Sequence, residues 1–186
     1  MERTIDEAGW LAGVRRLASP NADERPEGVP VDLLIIHCIS LPPGEFGGCW
    51  IDDLFCNRLD FDAHPYFHGL RGLRVSSHLL VRRDGRVTQY VPLHRRAWHA
   101  GASAWEGRGR CNDYSIGIEL EGTETLGYSD AQYLALARLT REIRRAFPAI
   151  TDKRIVGHSD VAPGRKTDPG PAFDWARLRS ELAAAG

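Results

Sequence analysis

The sequence predicts a single α/β domain in which a mixed central β-sheet is flanked by helices. Three observations carry that expectation. Short β-prone runs alternate along the chain with segments of helical period, the pattern of strands packed against helices. An Asp84-Gly85 pair between two of those runs marks a hairpin, so one strand pair is antiparallel and the sheet is mixed. With 186 residues there is chain enough for one sizeable core and too little for two.

Residues 1–30 open with a weakly amphipathic stretch (Trp10, Leu11, Val14, Leu17) and continue in a Pro/Asn/Asp/Glu-rich segment that ends at Pro30. They are expected to be a peripheral N-terminal arm, with the chemistry carried by residues 31–186. Residues 31–36 form an almost continuous apolar run, the signature of a strand buried on both faces, and that run ends in His37. Residues 41–48, rich in proline and glycine, are expected as a loop over the strand end. Short helical pieces are expected over 50–59 and 65–70. The hairpin then joins strands at 77–83 and 86–91.

A polar loop over 94–113 holds Trp98-His99-Ala100-Gly101. Residues 114–121 alternate with period two: Ile116, Ile118 and Leu120 face one way, and Gly117, Glu119 and Glu121 the other. Ser129 and Gln132 match a capping box, and Leu136, Leu139, Ile143 and Phe147 recur at helical spacing. Arg141, Arg144 and Arg145 suit the negative end of that helix, and Pro148 stops it. Residues 154–157 read as a further short strand. The last helix is capped by Asp174, with Phe173 stapled onto Leu178 and a buried stripe of Trp175, Leu178 and Leu182.

Composition excludes some partners. A formal net charge of -1 gives no bulk attraction for nucleic acid or an anionic membrane. The arginine pairs 15–16, 82–83, 95–96 and 144–145 read as solvated faces. No stretch approaches membrane-spanning length, and Met1 to Glu7 lack the pattern of a signal peptide. Cys38, Cys49, Cys56 and Cys111 form no C-x-x-C pair and read as reduced thiols, so the cytoplasm is the expected compartment. No obligate protein partner is inferred.

Residues 157–171 hold three prolines and three glycines, which bars an ordinary helix or a central strand and implies a loop of fixed path. Within it His158 and Asp168 suit a divalent metal and Lys166 suits an anion, although a polar surface loop fits the same residues. His37 alone reads as a core histidine with its hydrogen bonds met. Glu119 alone fits a solvent-facing glutamate as well as an acid or base with room above it at Gly117. Taken together, His37, His158 and Asp168 make a recurring catalytic zinc set with a fourth position left for water. Glu119 then serves to take a proton from that water and pass it to a leaving amine, and Lys166 to stabilise an oxyanion. Those roles describe metal-assisted hydrolysis of an amide.

The blocks around these residues extend the comparison: Ile39-Ser40-Leu41-Pro42-Pro43-Gly44-Glu45-Phe46-Gly47-Gly48, Arg74-Val75-Ser76, Arg82-Arg83-Asp84-Gly85, and Arg95-Arg96-Ala97-Trp98-His99-Ala100-Gly101. Cys111-Asn112-Asp113, the run from Ser115 to Thr123, and Arg165-Lys166-Thr167-Asp168-Pro169-Gly170-Pro171 follow in order. Nearly end to end, the chain resembles the zinc-dependent N-acetylmuramoyl-L-alanine amidases, the family that includes phage T7 lysozyme and the peptidoglycan recognition proteins. Within it the resemblance is nearest to the cytosolic branch that acts on 1,6-anhydro-muropeptides in cell-wall recycling.

The resemblance implies a mixed sheet flanked by helices, one zinc and no other cofactor, and a small muropeptide as substrate. It puts His37, His158 and Asp168 at the metal, Glu119 and Lys166 in catalysis, and Arg74, Arg110 and Trp98 at the substrate. Two positions depart from the family pattern: Cys38 stands where asparagine follows the first metal histidine, and Cys49 where proline is usual. His64, His68, His78, His94 and His99 are expected to be structural or at the surface, with His99 near enough to Trp98 to line the cleft. Two other readings compete. A non-cutting recognition module would lack a ligand or the acid/base residue, and an exported amidase would carry a leader.

Overall fold

The computed structural model describes residues 5–184, so Met1–Thr4, part of the stretch read for an export signal, lie outside the described residues. In chain order the strands are β1 (Arg15–Arg16), β2 (Ala22–Asp23), β3 (Leu33–Ile39), β4 (Leu79–Val81), β5 (Val87–Gln89), β6 (Arg96–Ala97), β7 (Ala104–Trp105), β8 (Arg108–Gly109), β9 (Ser115–Glu121) and β10 (Ile155–Gly157). The α-helices are α1 (Trp50–Phe55), α2 (Asp130–Ala146), α3 (His158–Val161) and α4 (Trp175–Ala183), and Pro65–Leu70 forms a 3₁₀ helix. The central sheet has the order β1-β5-β4-β9-β3-β10. Strands β4, β9, β3 and β10 run parallel, and β5 runs antiparallel to β4. The expected mixed sheet flanked by helices is what forms.

The period-two patterns sort the two faces. Leu34 and Ile36 of β3 and Ile116, Ile118 and Leu120 of β9 pack with Leu136, Leu139 and Ile143 of α2 and Leu178 of α4. Helix α2 begins with the expected capping box: Ser129 Oγ accepts from the Gln132 amide at 3.2 Å, and Gln132 Oε1 accepts from the Ser129 amide at 3.1 Å. Helix α4 is capped by Asp174, whose carboxylate accepts from the Arg177 amide at 2.9 Å. Phe173, Leu178, Trp175 and Leu182 meet in the same core.

Four expectations need correction. The strand read at 31–36 runs to Ile39, so His37 lies inside it rather than at its end, held there by full pairing with β9. The loop at 157–171 begins with one helical turn, α3, before the first proline is reached. The N-terminal arm is built into the domain: β1 pairs with β5, Leu11 is fully buried, and Arg25 donates to the carbonyls of Leu93, Asn112, Asp113 and Ser115. Burial lowers the Arg25 guanidinium to about 10, still charged at neutral pH. Last, Arg82 is no solvated residue; its guanidinium lies 2.8 Å from Glu121 and 3.2 Å from Asp52, two buried carboxylates that draw it inward. Cys38, Cys49, Cys56 and Cys111 are free thiols. No helix among the described residues is long and apolar enough to cross a membrane.

Candidate active site

Register builds the site. On the face opposite α2, His37 of β3 stands beside Glu119 of β9 in the parallel ladder. On the other side of β3, Gly157 of β10 pairs with Ile36, and the next residue is His158. Three neighbouring parallel strands thus deliver Glu119, His37 and His158 toward their carboxyl ends, where α/β sheets place their ligands. The loop after α3 returns Asp168 to the same point, with the Ser159 amide donating to the Asp168 carbonyl at 2.9 Å and Tyr128 Oη to the Pro169 carbonyl at 2.8 Å. Gly157 lets this return come close, since a Cβ there would lie 2.9 Å from Cδ of Pro169.

The three atoms that meet are His37 Nδ1, His158 Nδ1 and Asp168 Oδ2. The nitrogens are 3.0 Å apart, and the carboxylate oxygen is 3.2 Å from His37 and 3.1 Å from His158. All three residues are buried. His158 Nε2 lies 3.2 Å from the Ala100 carbonyl, which only accepts, so Nε2 carries the proton. In the neutral ring Nδ1 is then a bare lone pair facing a carboxylate oxygen. Two acceptors in contact call for a cation between them, and edges near 3.1 Å approach the roughly 3.3 Å edge of a tetrahedron with bonds of about 2.0 Å. The donor set fits a divalent metal.

Burial holds the His37 imidazole down to about 4 against the pull of Asp168. Burial alone would raise the Asp168 carboxyl, but without a metal the His158 and His37 rings against its Oδ2, able to carry the missing positive charge as protons, outweigh it and keep it well below the usual range. Glu119 is the opposite case. Burial, with the Asp168 charge added, pushes it well above the ordinary carboxylate value, and Lys166 only partly offsets this. Its Oε2 has no hydrogen-bond partner.

These residues line one side of a cleft of about 890 Å³. Lys166, Trp98 and Arg74 line it too, with Ser40, Leu41 and Pro43 of the loop over 41–48 and Tyr66, Leu70 and Leu73 of the following segment. Arg110 does not. It is exposed, with Nε 3.1 Å from Asp113, two residues before the lining residue Asn112. Cys38 points from β3 to the α2 side and packs there, and burial raises its thiol to about 12.

The family described as N-acetylmuramoyl-L-alanine amidase matches residues 27–171. The chain belongs to that family. Among the amidases it is similar to, the 1,6-anhydro-N-acetylmuramyl-L-alanine amidase AmpD of Escherichia coli K12 is 60% identical over 173 residues, which span 93% of this chain and 94% of that protein. A crystal structure of a selenomethionine AmpD derivative superposes with a TM-score of 0.92 at 58% identity, covering 95% of this chain and 98% of that one. The E. coli amidase AmiD in complex with anhydro-N-acetylmuramic acid-L-Ala-D-γ-Glu-L-Lys superposes at 0.60 with 31% identity, covering 95% of this chain and 65% of that one.

Sequence reasoning passed over three features of this amidase. Arg165, beside Lys166, donates to the carbonyls of Ala100 and Ala102 and ties the site loop to the segment after Trp98. His99 is buried against His37 rather than set out in the cleft alone. The space at Gly117, read as room above Glu119, is filled by the His99 ring. A glycine inside a buried strand signals such a close approach, and that was the available clue.

Proposed function

We propose that this chain hydrolyses the amide between the lactyl group of 1,6-anhydro-N-acetylmuramic acid and L-alanine in soluble muropeptides, using one zinc ion held by His37, His158 and Asp168. The observation that carries the reading is the convergence of two imidazole nitrogens and a carboxylate oxygen beside an unpartnered, buried Glu119 at the head of a substrate-sized cleft. The likeness to AmpD and to a substrate-bound AmiD supports the bond and the substrate class. By the same resemblance the reaction belongs to cell-wall recycling in the cytoplasm.

Zinc, when bound, supplies Lewis acidity that polarises a carbonyl and lowers the pKa of water to about 7. The chain supplies the rest. Glu119, destabilised as a carboxylate by burial, takes the proton of the attacking water and returns it to the departing L-alanine nitrogen. Lys166 donates to the oxyanion that forms on the attacked carbonyl carbon. Trp98, Tyr66 and Leu73 offer apolar surface to the sugar, and Arg74 offers a guanidinium fork to a stem-peptide carboxylate; for Arg110, outside the cleft lining, such a contact rests on the family resemblance alone. Every one of these groups lies within residues 31–186, and the described part of the arm, residues 5–30, braces them.

The deciding experiment incubates the purified protein with anhydro-muramyl tripeptide and, separately, with purified sacculi, and identifies products by mass. The expected products are anhydro-N-acetylmuramic acid and free tripeptide. Chelation should abolish the reaction and zinc should restore it. Full turnover in metal-free protein would sink the zinc assignment, and faster cutting of sacculi would move the substrate to polymeric wall.

A further inference from the structure

We propose that His99 is a positioning residue for the metal site: its bare Nδ1 accepts the Nε2–H of His37 and thereby leaves His37 Nδ1 unprotonated and aimed at His158 and Asp168. The proposal rests on His37 being a metal ligand, as set out above, and assigns work to a histidine that the proposed chemistry does not use.

An imidazole that gives one nitrogen to a metal carries its proton on the other, and that N–H needs an acceptor. For His158 the acceptor is the Ala100 carbonyl. For His37 it is His99, whose Nδ1 lies 2.9 Å from His37 Nε2, with the two rings edge to face at 86°. At its far side His99 Nε2 is 3.2 Å from Ser115 Oγ.

A neutral imidazole has one donor and one acceptor, so this row has only two consistent polarities. In the first, His37 Nε2–H donates to His99 Nδ1 and His99 Nε2–H donates to the Ser115 hydroxyl oxygen. In the second, Ser115 donates to His99 Nε2, His99 Nδ1–H donates to His37 Nε2, and the proton of His37 sits on Nδ1 against Asp168. Only the first leaves His37 able to bind a cation. A hydroxyl at position 115 permits either polarity, so the metal itself selects the first and the row then holds it.

The surroundings keep the His99 ring in place for this. A Cβ on Gly117 would lie 2.6 Å from His99 Nδ1 and 2.7 Å from Cγ, so only glycine leaves room for the ring. The amides of His99 and Ala100 both donate to Asn112 Oδ1, at 3.2 and 2.8 Å. Behind it stands His78, with ring centroids 5.5 Å apart, itself fixed by the Gly117 amide on Nδ1 and the Arg95 carbonyl at Nε2. Because His99 also borders the cleft, a substrate contact is the competing role, and binding of zinc alone separates the two.

The test measures zinc affinity of the full chain by competition with a chromophoric chelator, for wild type, His99→Leu and His99→Asn. Asparagine can present an acceptor oxygen where Nδ1 stands; leucine cannot. Loss of such an outer partner typically weakens metal binding about 10–100-fold. That loss is expected for His99→Leu, with His99→Asn restored to within a few-fold of wild type. Imidazole ¹⁵N shifts of the wild-type zinc protein give a second reading that needs no variant: His99 should show a bare Nδ1 and a protonated Nε2. Unchanged affinity in His99→Leu, or a protonated His99 Nδ1 in the zinc protein, overturns the proposal and leaves the metal site standing. A wild-type chain that binds no zinc overturns both.

Discussion

Glu119 and Glu121 stand two residues apart on one face of β9, both buried, and their surroundings give them opposite chemistry. Glu121 is saturated: it accepts from Arg82 at 2.8 Å, from the Gly47 amide at 2.8 Å and from the Arg83 amide at 3.1 Å. Glu119 keeps a bare oxygen, free to exchange a proton with a reactant. Glu119→Ala should therefore retain zinc and lose roughly 10²–10⁴-fold in kcat. Lys166→Ala should retain zinc and lose roughly 10²–10³-fold. Metal analysis beside steady-state kinetics checks both, and a variant that arrives without zinc reveals a misassigned ligand. Glu121→Ala is a different kind of change, because it strands Arg82 with one carboxylate fewer. It should lower stability by about 3–5 kcal/mol in denaturant unfolding. A loss below 1 kcal/mol would mean the network contributes little.

At the scale of elements, α2 shows how local signals and tertiary packing share the work. Its capping box is legible in Ser129 and Gln132, but Gln132 Nε2 also donates to the carbonyls of Val81 and Glu121, across to β4 and β9. Ser129→Ala should cost about 1 kcal/mol with kcat/KM unchanged, since the cap lies away from the cleft. A change in kcat/KM would show that the helix start feeds into the site. Elements with a strong local pattern, such as β3, β9, the hairpin, α2 and α4, were legible because period and punctuation speak for them. The two-residue strands β1, β2, β6, β7 and β8 were not. β1, β2 and β6 are made by partners far along the chain, as Arg15 and Arg16 are by Thr88 and Gln89, while β7 and β8 pair with each other across a turn too short to show a period. The ligands followed a similar divide: His158 and Asp168 announce themselves in a rigid loop, whereas His37 gains meaning only from the strands on either side. What the sequence hid was the layer beneath them, because His99, Gly117 and Ser115 meet through folding and carry no spacing signal.

For the whole molecule, the sheet concentrates ionisable groups in its interior, and that sets how stability answers to pH. In the metal-free chain burial lowers His37 to about 4 and His78 to about 3, and His99 falls well below the ordinary 6.5. In the unfolded chain all three titrate near 6.5. Between 6.5 and 4 the unfolded state therefore binds more protons, and stability falls as pH falls through that window. Asp168, held below its ordinary 3.8, pushes the same way at still lower pH. Glu119 works in the opposite sense, since burial raises it and the folded chain keeps its proton longer. Three imidazoles thus oppose one carboxyl across that window. The expected result, with chelator present, is a melting temperature that declines steadily from about pH 6.5 toward pH 4. Calorimetry at half-unit steps of pH would show it. A melting temperature that is flat or rising as pH falls across that range would mean the buried imidazoles take up protons inside the fold, and the neutral row beneath the site would have to be abandoned.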